Sequence, residues 1–207
     1  MTSRRVKSTV ALVVDISSIS LLDDAHATYY GRDAFFQGNG LPDATIAALV
    51  YYEETAVSTM GYSGHTLAAR TEFDNVTDAV INFRKATSSE INTAPLRILM
   101  KTGGNSRDLY WYGHTTNYDI NGNELGTVDA QYYAWSKVDL LLNHDKMEYK
   151  GLNSNQRRRV AVHEMGHVMS MKHQPIGYSH LASVMQDDSY ESWSLTSVDI
   201  VNLQYMY

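Results

Sequence analysis

The residues able to do chemistry are concentrated in the run His163-Glu164-Met165-Gly166-His167, followed six residues later by His173. On an α-helix, positions four apart lie on nearly the same face, so His163 and His167 can aim their imidazoles at one metal ion about 2.0–2.1 Å away. Glu164 lies one residue round the helix, poorly placed to ligate but near enough to take a proton from water that the metal acidifies. His173 becomes a third ligand if the chain turns sharply after the helix. Three histidines leave a tetrahedral ion with one open position, the catalytic rather than the structural arrangement. Two other readings use the same residues. One is a zinc-binding module that hydrolyses nothing; the other is a metal-free domain whose helix carries histidines by coincidence. The carboxylate of Glu164 argues against the first, and the interval to His173 argues against the second.

Such a site needs a helix, a turn and a sheet behind them. Asn153 or Ser154 can cap a helix that runs through Gln156 to about Met169. Leu96 to Met100, Tyr110 to Thr116 and Val138 to Leu142 read as strands, with a turn at Gly103-Gly104. Upstream, Asp43 to Ala56 reads as a helix with Asp43 as N-cap, and Thr66 to Phe73 as an alternating strand after a turn at Gly61 to Gly64. Asn75-Val76-Thr77 opens a helix carrying Val76, Ala79, Val80 and Phe83, and Asn143 to Asn153 reads as a loop. Asp119 to Gly126 is most simply a loop or hairpin turn. Its Asp119, Asn121, Asn123 and Glu124 offer oxygens to Ca²⁺, but their spacing does not match an EF-hand loop. His26, His65, His114, His144 and His180 lack ligand spacing and read as surface or hydrogen-bonded residues. Arg157-Arg158-Arg159, at the wrong end of the helix for its dipole, reads as a solvated face.

Composition bounds the rest. The 207 residues are 43% hydrophobic and 19% charged, which suits one folded domain rather than a disordered chain. A net charge of −6 argues against nucleic acid held on a basic surface. With no cysteine, disulfides, thiol chemistry and zinc ribbons are excluded, so any metal must be held by histidines and carboxylates. No stretch is apolar for long enough to span a membrane. Arg4, Arg5 and Lys7, the apolar-rich Ser8 to Leu22, and Ala25-His26-Ala27 together read as a signal peptide over residues 1–27, which implies secretion. The competing reading is a first strand from Thr9 to Ile16. Residues 28–64 then form a lead segment, either a propeptide or the N-terminal part of the domain, and 65–207 the domain that carries the histidines.

The run from His163 to His173 resembles the HExxHxxGxxH motif of the metzincin zinc peptidases, and most closely that of their matrixin-like members. Twelve residues after His173, Ser183-Val184-Met185 is similar to the family's Met-turn, whose methionine lies under the metal as an apolar floor. Leu195 to Tyr207 is similar to the closing matrixin helix, with Thr196 and Asp199 as a capping pair and Ile200, Leu203 and Tyr207 on one stripe. The likeness spans about residue 65 to the end and is specific from His163 to Met185.

That resemblance implies an α+β, metzincin-like zincin fold. It would comprise a small twisted mixed sheet, an active-site helix, a C-terminal helix, and a cleft between an upper and a lower subdomain. It implies one catalytic Zn²⁺ on His163, His167 and His173, Glu164 as general base and Met185 beneath the metal. Tyr190 would wall the specificity pocket or steady the tetrahedral intermediate; a packed loop tyrosine is the alternative. The implied protein is a secreted, monomeric endopeptidase acting on peptides or proteins. Three departures stand out. Ser170 replaces the motif's glycine at a turn that favours positive φ, at a cost of about 1 kcal/mol. Gln174 does not match the usual subfamily marker residues. Finally, no cysteine is available to latch a propeptide, and Asn39 stands where Gly40-Leu41-Pro42-Asp43 would place one.

Overall fold

Leu96 and Ile98 alternate with half-buried neighbours, Val138, Leu140 and Leu142 lie at every second position of a strand buried along most of its length, and these five side chains are completely buried. Their alternation builds the middle of a sheet with one face turned to the core. The computed structural model describes residues 34–36, 40–126, 129–174, 183–186 and 193–207. Residues 1–27, His180 and Tyr190 therefore lie outside the described residues.

In chain order the elements are α1 (Asp43–Ile46), β1 (Leu49–Glu53), α2 (Thr55–Thr59), α3 (Ser63–Asp74), β2 (Phe83–Lys85), β3 (Leu96–Lys101), β4 (Gly113–Tyr118), β5 (Glu124–Leu125), β6 (Lys137–Asn143), α4 (His144–Tyr149), α5 (Ser154–Val168) and α6 (Ser197–Met206). The six strands form one mixed sheet in the order β2-β1-β3-β6-β4-β5. From β2 to β6 the pairing is parallel; β4 runs antiparallel to β6, and β5 antiparallel to β4. The architecture is α+β. Among the described residues no helix is long and apolar enough to cross a membrane.

Strands β3, β4 and β6 lie where the sequence places them, although β4 starts at Gly113 and continues to Tyr118. Helix α5 begins at Asn153, whose side chain accepts from Gln156 N while the Gln156 side chain accepts from Asn153 N. Thr196 and Asp199 form the same reciprocal box at the start of α6.

Four expectations are overturned, all where tertiary partners outweigh local pattern. The helix expected over 43–56 is one short turn, α1, preceded by Pro42 as N-cap, and then β1. Tyr51, Tyr52 and Glu53 are drawn into the sheet by Leu96, Arg97 and Ile98. The strand expected over 66–73 is most of α3, which buries Thr66, Ala69, Arg70 and Phe73 at helical spacing. The helix expected from Asn75 is a turn leading into β2, with Asp78 at φ 67° and Phe83 paired to Leu49. The loop expected over 143–153 contains α4, capped by the Asn143 side chain accepting from Lys146 N.

An ion pair between the buried Arg70 and the partly buried Glu53 fastens β1 to α3. Glu53 accepts from Ser63 Oγ and Thr66 Oγ1, each at 2.7 Å, and from Arg70 Nη1 at 3.1 Å. The Arg70 guanidinium also lies 4.0 Å from the Tyr51 ring centre. Burial pushes the Glu53 carboxyl upward, but the two hydroxyls and the Arg70 charge outweigh it and hold the group below its ordinary range.

Candidate metal centre

Helix α5 runs along the floor of a cleft of about 1050 Å³, with β4 along one side. His163 and His167 share the helix face that meets this cleft. The helix ends in a Schellman motif, in which Met171 N bonds Gly166 O and Ser170 N bonds His167 O. Ser170 occupies the left-handed position at φ 60°, where glycine is usual. The redirected chain is held by Phe36 N donating to Ser170 O and Lys172 N donating to Ala34 O. It brings His173 back over the helix.

The three imidazoles converge. His173 Nε2 lies 3.2 Å from His163 Nε2 and 3.0 Å from His167 Nε2. His163 Nδ1 is 2.8 Å from Val184 O, and His167 Nδ1 is 2.8 Å from Met171 O. Each carbonyl requires an N–H, which places the proton on Nδ1 and leaves the Nε2 lone pair facing the cluster. A single N–H on His173 can serve only one of its two close nitrogen neighbours, so hydrogen bonding alone does not account for the arrangement. Burial, the neighbouring His167 charge and then that of His173 hold His163 well below the ordinary imidazole range, against the pull of Val184 O. His167 is pushed down to about 3, first by burial and then by the His173 charge. Both rings are neutral at physiological pH, as metal ligation requires.

Support for His163 comes from α6. Asp199 accepts from Val184 N at 3.0 Å and from Ser183 Oγ, while Ser183 Oγ accepts from Met185 N at 3.0 Å. The carbonyl that orients His163 is thereby fixed through its own residue. Met185 is completely buried, and its sulfur fills the space that a Cβ on Gly166 would need.

Glu164 is buried beside the cluster. Its Oε2 accepts from Thr115 Oγ1 at 2.8 Å, and the same hydroxyl lies 3.3 Å from Glu164 O. A side chain on Gly113 would collide with this carboxylate, so the strand approaches Glu164 only because Gly113 has none.

The sequence residues thus fall into three groups. His163, His167 and His173 come together, Glu164 lines the same cleft, and Met185 packs beneath α5. His114 is in the cleft as well, exposed and stacked on Trp111 at 5.4 Å, while His144 and His65 both lie against Tyr62. The solvated-face expectation fails for Arg159, which is buried and donates to Gln186 O. Arg157 pairs with Glu148, and Arg158 with Glu72. In the 119–126 turn, Asn121 N and Asn123 N both donate to Asp119 Oδ1, and Asn123 Nδ2 donates to Oδ2. Both Asp119 oxygens are thus occupied by the turn itself. Sequence reasoning did not reach Gly113, Thr115 or the role of Asp199 beyond its cap; nothing in the local pattern links β4 to a helix so distant in sequence.

No protein-family model matches the chain, and no curated protein matches it.

Proposed function

We propose that the chain is a zinc-dependent endopeptidase of metzincin-like fold that hydrolyses peptide bonds in the α5–β4 cleft. The observation that carries this reading is the convergence of three imidazole nitrogens, two of them with tautomers set by backbone carbonyls, beside a buried carboxylate. Ligand nitrogens around a tetrahedral Zn²⁺ stand about 3.3 Å apart, given bonds of 2.0–2.1 Å. The separations of 3.2 and 3.0 Å come close to that spacing. Histidine-only donors suit zinc rather than calcium or magnesium. When bound there, zinc supplies Lewis-acid polarisation of a carbonyl and lowers the pKa of water.

This chain's own residues supply the remaining steps. The Thr115 hydroxyl orients the Glu164 carboxylate, which accepts a proton from the attacking water. The water oxygen bonds to the scissile carbon, Glu164 passes the proton to the departing nitrogen, and the C–N bond breaks. Ahead of Asn117, where β5 begins to pair, the outward edge of β4 offers backbone partners to an extended substrate. A peptide fits this cleft for that reason. Secretion and a monomeric state belong to the same reading.

The test is hydrolysis of casein by the purified protein, with chelator, with zinc restored, and in Glu164→Gln. We expect cleavage that a chelator abolishes and zinc restores. Glu164→Gln should lose activity by about 100-fold or more while retaining one zinc per chain. Undiminished cleavage by Glu164→Gln would remove the glutamate from its role, and a wild-type protein that takes up no zinc would end the reading.

A further inference from the structure

Two rings at the start of β4 stand open in the cleft. Trp111 and His114 stack with centres 5.4 Å apart and 28° between their planes, and among the described residues no other ring and no cation lies against either. Trp111 is half-buried and His114 exposed. Tyr110, 86% exposed, adds a third ring to the same rim. The stack is held from behind by the completely buried Asn143, which donates from N to Tyr112 O at 2.8 Å and from Nδ2 to Trp111 O at 3.2 Å. Phe36, another ring of the cleft, is already packed against Trp135 and His167. Trp111 and His114 thus form a preorganised platform that lacks an occupant among the described residues.

Strand geometry decides what can reach that platform. Gly113 and Thr115 meet Glu164, so odd-numbered residues of β4 face α5, and His114 faces the other way. Glu124, opposite Tyr118, shares the face of His114, and its charge is felt there. A peptide laid along the free edge at Gly113 and Thr115 follows the same alternation, because directly paired residues share a face. Its residue beside His114 turns its side chain towards the stack, and the residues flanking it turn theirs towards α5 and Glu164. Desolvation holds the His114 imidazole below its ordinary range in spite of Glu124, so the platform is neutral at physiological pH. An acidic side chain finds no cation there, and an exposed cation gains little from a ring. An aromatic side chain removes apolar area from both partners and packs offset or edge-on against the stack.

We infer that the Trp111–His114 stack is a subsite for an aromatic side chain of the substrate, at the position next to one that points to α5. This rests on the peptidase reading and narrows it to peptides with Phe, Tyr or Trp within about two residues of the bond presented to Glu164. Only a short length of β4 edge is free before β5 begins to pair at Asn117, so the preference is read at one position rather than along a row.

The experiment uses unstructured decapeptides of one Gly/Ser/Ala host sequence, in which a single Phe, Arg or Glu is moved from position to position. Binding to zinc-loaded Glu164→Gln is measured by calorimetry, and cleavage by the wild type is mapped by mass spectrometry. The Phe peptides should bind on the order of tenfold more tightly than the host, and the cut should move with the Phe at a fixed interval. Trp111→Ala should bring the Phe-to-host affinity ratio towards one, and Trp111→Phe should keep most of it. His114 is exposed, so His114→Ala, which should lower the same ratio, remains informative if Trp111→Ala does not fold. Equal binding of Phe and host peptides, a stronger response to Arg or Glu, or cuts that ignore the Phe would each overturn the subsite. A preserved Phe preference in a wild type that cleaves nothing would support the subsite and overturn hydrolysis.

Discussion

Helix α5 and strand β1, the second strand from the sheet's edge, take their structure from very different distances along the chain. α5 carries its own start in the Asn153–Gln156 box and its own stop in the Ser170 turn. β1 carries neither: it is defined by Phe83 to Lys85 on one side and Leu96 to Ile98 on the other, and is tied to α3 by Glu53. An element with local caps tolerates change elsewhere, whereas one assembled from remote partners is only as secure as those partners. The histidine cluster is built largely on the first kind of element, and the sheet behind it on the second.

The sharpest way to separate the two regions is Arg70→Ala. It leaves the partly buried Glu53 without its cation and should cost about 2 kcal/mol of stability. Denaturant unfolding should register this loss while a zinc titration of the folded protein stays unchanged; a large drop in zinc affinity would show that the regions are not independent. Asp199→Ala should do the reverse. It frees Val184 N, loosens the carbonyl that orients His163, and should lower zinc affinity by roughly 10- to 100-fold with a stability loss of about 2 kcal/mol. Unaltered zinc affinity would reduce Asp199 to a helix cap.

A smaller effect is expected in acid. The folded carboxyl of Glu53 lies below its ordinary value of 4.5, so its contribution to stability is present above that value and is lost as pH falls through the lower folded one. The acid limb of the stability curve should therefore flatten in Glu53→Gln; an unchanged limb would assign the acid sensitivity to other carboxyls. The smallest change belongs to the turn. Ser170→Gly relieves a non-glycine residue at φ 60° and should stabilise by at most about 1 kcal/mol, leaving zinc affinity as it was. A destabilised Ser170→Gly would mean that the serine side chain contributes more packing than its backbone strain costs.

The same contrast explains what could be read in the sequence. The caps at Asn153 and Thr196, the histidine spacing and the turn before His173 are encoded within a few residues, and all are observed. Strands β3 and β6 are equally legible, because each carries its own short run of apolar residues that the core buries. Residues 43–85 were misread because their helix and strand propensities are overridden by pairing across dozens of residues. Phe83 fits a helical stripe with Val76, Ala79 and Val80, but its backbone pairs with Leu49 instead. Within the site, Glu164 was legible from its neighbours. Thr115 and Gly113 were not, since their relation to Glu164 exists only once β4 lies against α5.

The placement of His167, Met171 and His173 also bears on the order in which the molecule assembles. His167, the carbonyl that sets its tautomer and His173 all lie in one run from 167 to 173. Loops of this length close in tens of nanoseconds and at small entropic cost. His163 is different, because its orienting carbonyl is Val184 O, held in turn by Asp199 of α6. The His167–His173 half thus needs the turn after α5 and the stretch 34–36 that holds it, while the other half waits for the C-terminal helix to dock. A metal captured early would be held loosely at first and gripped only in the last stage of folding.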